Sequence, residues 1–109
     1  MARRIDRGDV WLADLPTPDK RRPVVVLSRS SLIEVLETVT VADVTSTQRG
    51  SPTEVALAED AGLKHSSCVN LTNVFTLRQS ALARHLGVVP PATLRKSCAA
   101  LRIAVGCDE

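Results

Sequence analysis

The sequence predicts a mainly β fold of the α+β kind, a small curled sheet or barrel of six or seven short strands with one C-terminal amphipathic helix. Three observations carry this expectation. Short apolar runs rich in β-branched residues recur between breaks containing Pro, Gly and Ser. A terminal segment changes period, with Leu94, Cys98, Leu101 and Val105 at i, i+4, i+7 and i+11. The chain has 109 residues, 44% hydrophobic and 24% charged, the size and balance of one compact domain over residues 1–109.

Asp9–Leu15 reads as the first strand, ended by Pro16, Pro18 and Asp19. Lys20, Arg21 and Arg22 lead through Pro23 into Val24-Val25-Val26-Leu27, an uninterrupted apolar run and therefore a buried strand. Proline cannot donate to a ladder, so Pro23 is expected at the strand entrance and Arg22 on the lip of the sheet. Ser31 and Glu34 have capping-box spacing ahead of Val35 and Leu36, which predicts a helical turn over residues 31–36. Thr38–Val44 is a central strand candidate, with Val39, Val41 and Asp43 on one face and Thr40, Ala42 and Val44 on the other. The polar stretch Thr45–Pro52 makes a hairpin-like connection to a strand over Glu54–Leu57. After a break at Gly62, Lys64, His65 and Ser66, further strands are expected over Cys68–Leu71, Val74–Leu77 and Arg84–Val89. Pro90 and Pro91 stop the sheet, and Gly106 closes the helix that follows.

No apolar run approaches the roughly 20 residues that cross a bilayer, so no membrane association is expected. The basic N-terminus has no apolar stretch behind it, which points to a cytoplasmic location. Cys68, Cys98 and Cys107 are an odd set without a Cys-x-x-Cys pair, arguing against a disulfide framework and a structural zinc site. No metal and no cofactor are predicted. The formal net charge is +2, with basic ends and an acidic middle. Arginine outnumbers lysine heavily, and its planar fork suits phosphate or carboxylate, although a genome biased toward Arg gives the same composition.

Three ordered blocks resemble the MazF/PemK family of toxin–antitoxin endoribonucleases. Arg7-Gly8-Asp9-Val10-Trp11-Leu12-Ala13-Asp14-Leu15 is similar to that family's opening strand, and Arg22-Pro23-Val24-Val25-Val26-Leu27-Ser28 to its second. Val44-Thr45-Ser46 followed by Gly50-Ser51-Pro52-Thr53-Glu54-Val55 resembles its third strand, loop and fourth strand, and Pro91 to Leu94 its Pro-x-x-Leu helix start. The resemblance implies a CcdB/MazF-type sheet related to SH3-like barrels, a homodimer, and cleavage of single-stranded RNA at short motifs without metal. It implies Arg22 and Thr45 as the catalytic pair. Where the family often presents Gln-x-Arg-Thr near the RNA, this chain has Asn73-Val74-Phe75-Thr76.

RNA carries its own nucleophile, the 2′-hydroxyl, so cleavage needs positioning and stabilisation of charge on the phosphoryl oxygens. A guanidinium at Arg22 suits that charge and could protonate the leaving oxygen, while the Thr45 hydroxyl donates to the oxyanion or relays a proton. The general base stays unidentified. The implied products are a 2′,3′-cyclic phosphate and a 5′-hydroxyl. Lys20, Arg21, Trp11, Ser28, Ser46 and Asn73 are the candidate substrate-binding residues, with Trp11 expected to line the RNA groove because it alternates away from Val10 and Leu12. The basic Lys20-Arg21-Arg22 rim is expected to receive an acidic segment of a cognate antitoxin. His65 and His85 are a less favoured two-histidine pair. A CcdB-like toxin that binds DNA gyrase without catalysis, and a relative whose RNA groove has become a protein-interaction surface, are the competing readings.

Overall fold

The computed structural model describes residues 4–16, 20–57, 61–63 and 65–107. Pro18, Asp19 and Lys64, used above as turn markers, lie outside them. The described strands are β1 (Asp9–Asp14), β2 (Arg21–Val26), β3 (Thr38–Thr45), β4 (Glu54–Leu57), β5 (Ser67–Arg78) and β6 (Leu82–Val88). Helix α1 covers Ser30–Ile33, and α2 covers Pro91–Val105. All six strands join one antiparallel sheet in the order β4-β5-β3-β2-β1-β6.

Uninterrupted apolar runs mark strands buried on both faces, and β2 is the case in point. Val25 enters one cluster with Val10, Ala42, Val44, Val69 and Leu71, while Val24 and Val26 enter a second with Trp11, Val39, Val41 and Leu82. Val24, Val25 and Val26 are fully buried, each worth roughly 1.5–3 kcal/mol relative to exposure. The alternation expected along β3 therefore holds, but both of its faces are inside.

The strand starts earlier than the Pro23 rule suggests. Pro23 lies within β2, opposite Leu12 of β1, while pairing of β2 with β3 begins only at Val24↔Asp43. The missing N–H thus sits where the β3 ladder has not begun, and the strand tolerates it. Likewise the two strands expected around Cys68–Leu77 are one long β5. Its pairing with β3 jumps from Ala42↔Val74 to Asp43↔Asn70, leaving Leu71, Thr72 and Asn73 as a bulge. Leu71 turns inward and is buried, whereas Thr72 and Asn73 are exposed.

Curling brings the two edges of the sheet together. A Cβ on Gly62 would stand 1.9 Å from the Leu86 carbonyl oxygen, and one on Gly87 would stand 2.4 Å from that of Ala61. Gly62 also has φ +86, so this backbone-on-backbone contact between the β4–β5 connection and β6 needs glycine twice. On the outside of the first cluster, α2 packs across β4 and β5. Its inner stripe is buried Ser97 and Ala100 with half-buried Leu94, Leu101 and Ala104, the serine and the two alanines being small enough to let the helix lie close. Val105, expected on that stripe, is 63% exposed. Gly106 closes the helix in the left-handed region at φ 70, with Cys107 N–H donating to the Arg102 carbonyl.

The capping box does not form. The N-cap of α1 is Arg29, without a side-chain cap bond, and the Glu34 carboxylate instead receives Arg4 Nη2 at 3.3 Å. Ile33 is the buried residue of the turn, while Leu32, Val35 and Leu36 are exposed. No helix among the described residues is long and apolar enough to cross a membrane.

Candidate functional site

Arg22 sits at the start of β2, where it faces the end of β3. Its Nε and Nη2 donate to Oδ1 and Oδ2 of Asp43, both at 3.0 Å, and Nη2 also donates to the Val44 carbonyl at 3.0 Å. The Asp43 side chain is 9% exposed and that of Arg22 34%. This parallel fork fixes the guanidinium plane, because both carboxylate oxygens and the Nε edge are committed. Nη1 has no protein acceptor among the described residues, so two N–H donors stay available on a side chain that lines an open cavity.

That cavity, about 310 Å³, also carries Thr45 from the end of β3, Ser46 and Thr47 beyond it, Leu63 and His65 from the β4–β5 connection, and Ser67 at the start of β5. Thr45 Oγ1 accepts the Thr47 N–H at 3.1 Å, which turns the hydroxyl and leaves its own proton free to donate. Thr45 and Thr47 also line a second cavity of about 400 Å³, whose other walls include Arg49, Glu54, Asn70 and Thr72. The two cavities therefore form one groove over the end of β3. In the second, Glu54 Oε1 accepts the N–H groups of Arg49 and Ser51, and Asn70 Oδ1 accepts from Thr72.

Arg22, Thr45 and Ser46 are thus brought together. The other sequence candidates are not. Trp11 is 5% exposed within the second core cluster, donating Nε1 to Asp9 Oδ2 at 3.1 Å, so it offers no ring face to a groove. Alternation placed it correctly opposite Val10, but that face is also interior. Ser28 lies six residues along the chain from Arg22, about 20 Å in extended backbone, and its Oγ accepts the Thr40 N–H at 2.8 Å. Asn73 stands in the β5 bulge, where Asn70 and Thr72, not Asn73, reach the groove. Lys20 is exposed with φ 54, and Arg21 is paired with Asp14 across the β1–β2 hairpin at 2.6 Å. The three basic residues do not make one uniform rim.

The two histidines are separated as well. His85 packs edge-on against Trp11, with ring centroids 5.4 Å apart, and its Nε2 lies 3.5 Å from Asp9 Oδ1 without a hydrogen bond. His65 alone lines the Arg22 cavity. Sequence reading missed Asp43 as the partner of Arg22 and His65 as a groove residue. The pairing of Val24 with Asp43 brings the first about, and the Gly62–Leu86 contact anchors the loop of the second. Among the described residues no three His, Cys, Asp or Glu side chains gather as a metal site would require. Burial pushes the Cys68 thiol up, with Glu54 and Asp43 adding to the effect.

Residues 6–105 match the family described as PemK-like, MazF-like toxin of type II toxin–antitoxin system. The chain is 36% identical to the probable endoribonuclease MazF2 of Mycobacterium tuberculosis over 102 residues, covering 93% of this chain and 98% of the relative. It is 38% identical to the probable endoribonuclease MazF5 of the same species, covering 94% of each. Among solved structures, a mycobacterial endoribonuclease in complex with its cognate antitoxin superposes with a TM-score of 0.85 at 32% identity, covering 94% of this chain and 95% of that one. The M. tuberculosis toxin MazF-mt6 gives 0.83 at 33% identity, covering 90% and 96%.

Proposed function

The chain belongs to the PemK-like, MazF-like family of type II toxin–antitoxin toxins and is an endoribonuclease; from that premise we propose that it cuts single-stranded RNA in the Arg22–Thr45 groove with no metal in the mechanism. The observation that carries this reading is the clamped guanidinium: Asp43 holds two nitrogens of Arg22 while Nη1 is left for a ligand in the cavity that Thr45 shares. A scissile phosphate there receives Nη1 on one non-bridging oxygen and the Thr45 hydroxyl on the other. Both donors are oriented before the substrate arrives, which is what makes such contacts effective as charge builds in the transition state. The 2′-hydroxyl attacks phosphorus, the bond to the 5′-oxygen breaks, and the products are a 2′,3′-cyclic phosphate and a 5′-hydroxyl. Ser46 is a further contact on the same wall.

The same reading covers partners. Solved relatives include a complex with a cognate antitoxin and one of MazE with MazF from Deinococcus radiodurans, and this toxin is neutralised by an antitoxin whose acidic segment competes with RNA for the groove. Since Arg21 is paired with Asp14, the charge that draws such a segment comes from Lys20 and the free edge of Arg22. The active unit is a homodimer, supported by the exposed apolar Leu32, Val35 and Leu36.

The test is incubation with labelled RNA in EDTA and mapping of the 5′ ends. Arg22→Ala is expected to lose on the order of 10² in rate and Thr45→Ala less. A folded Arg22→Ala protein that cleaves at the parental rate overturns the assignment, and gyrase poisoning without RNA cleavage selects the non-catalytic alternative.

A further inference from the structure

The mechanism above lacks the group that takes the proton from the 2′-hydroxyl, and we propose that His65 is this general base, an inference that rests on the reading of the Arg22–Thr45 groove as the cleavage site. A guanidinium stays cationic and a threonine hydroxyl is a poor base, so neither member of the catalytic pair can serve. His65 is the one described residue lining the Arg22 cavity whose neutral side chain carries a basic ring nitrogen.

The other ionisable groups nearby are committed, of the wrong kind or outside the Arg22 cavity. Both oxygens of Asp43 are held by Arg22. Glu54 lies in the adjoining cavity with Oε1 bound to two backbone N–H groups, and Arg49 beside it is a cation. Cys68 is buried, and desolvation first, then Glu54 and Asp43, raise its thiol and keep it protonated.

Backbone geometry holds His65 beside the end of β3. The last rung between β3 and β5 pairs Thr45 with Cys68, so His65, three residues before Cys68, runs beside the chain that leaves Thr45. Gln48 Nε2 donates to Ser66 Oγ at 3.4 Å, tying the two loops, and Ser67 Oγ donates to the His65 carbonyl at 3.0 Å. At the loop's other end, Gly62 rests on the Leu86 carbonyl. In the step itself a neutral imidazole nitrogen of His65 accepts the 2′-hydroxyl proton as the O2′–P bond forms. The P–O5′ bond breaks, the 5′-oxygen takes a proton from water, and the imidazolium returns its proton to solvent.

The experiment measures kcat/KM against pH for the full chain, His65→Gln, His65→Ala and Arg22→Ala, with a deoxy-substituted, uncleavable oligonucleotide as the binding probe. His65→Gln is expected to lose on the order of 10² in rate while binding the probe within about twofold. The parental rate is expected to rise with pH across the imidazole range, His65→Gln to lack that rise, and added imidazole to restore part of the activity of His65→Ala. Parental activity in His65→Gln, or a loss that keeps the pH rise and resists imidazole, overturns the base assignment. If Arg22→Ala is impaired in that same outcome, the groove reading stands without His65. If Arg22→Ala cleaves normally, the groove reading itself fails.

Discussion

Two buried carboxylates, Asp9 and Asp43, start from the same physics and end in different roles. Both residues are under 10% exposed, and a buried carboxylate persists only when its oxygens are satisfied. Asp9 Oδ2 accepts the Asp6 N–H at 2.8 Å and Trp11 Nε1 at 3.1 Å, with His85 near Oδ1. Every neighbour of Asp9 named here is itself fixed or interior, so this carboxylate knits a corner of the fold. Asp43 gives both oxygens to one side chain, Arg22, whose far edge is at an open groove. One buried charge is used up within the structure, while the other fixes a cation at the wall of an open groove.

The largest effect is expected from removing Asp9. Asp9→Ala strands the Trp11 and Asp6 donors, and is expected to cost about 3 kcal/mol in urea unfolding while the folded fraction cleaves RNA near the parental rate. A cost below about 1 kcal/mol would contradict the structural role. Asp43→Asn is next. It keeps the shape but loses the charged fork, and is expected to lower cleavage about tenfold, equivalent to about 1.4 kcal/mol, with a smaller change in stability because Arg22 keeps the Val44 carbonyl and partial access to water. Equal losses of stability in the two variants, with no change in rate, would erase the distinction.

Trp11→Phe removes one donor from Asp9 and leaves the Asp6 bond, so about 1 kcal/mol of stability is expected to be lost; unchanged cleavage would agree with its interior position. The smallest effect concerns Cys68. Its thiol is raised by burial, so the unfolded chain ionises there first as pH rises, and stability should fall in the alkaline range above the ordinary thiol value of 9.0. Cys68→Ala removes that slope, and a slope unchanged in the variant would assign it elsewhere.

Much of the architecture was legible because strand signals are local. The runs Asp9–Leu15, Val24–Leu27, Thr38–Val44 and Glu54–Leu57 each announce a strand within a few residues. What the sequence left out depends on partners far along the chain. Alternation gives Asp43 a face, yet its bond to Arg22 follows from the β2–β3 register. Trp11 was given the correct side but an open environment, since alternation does not tell whether a second core covers that side. The β5 bulge puts Asn70 and Thr72, rather than Asn73, along the groove, which depends on the β3–β5 register. The position of His65 needed the closure of Gly62 on β6, which local pattern cannot report.

Asp43 is expected to act on RNA only through Arg22. The most direct test is a double-mutant cycle on cleavage rate with one RNA oligonucleotide in EDTA, using the parent, Asp43→Asn, Arg22→Ala and the double variant. The double variant is expected to cleave as slowly as Arg22→Ala alone, because without the guanidinium there is nothing for Asp43 to orient. Fully additive losses, or an Arg22→Ala protein as fast as the parent, would contradict it.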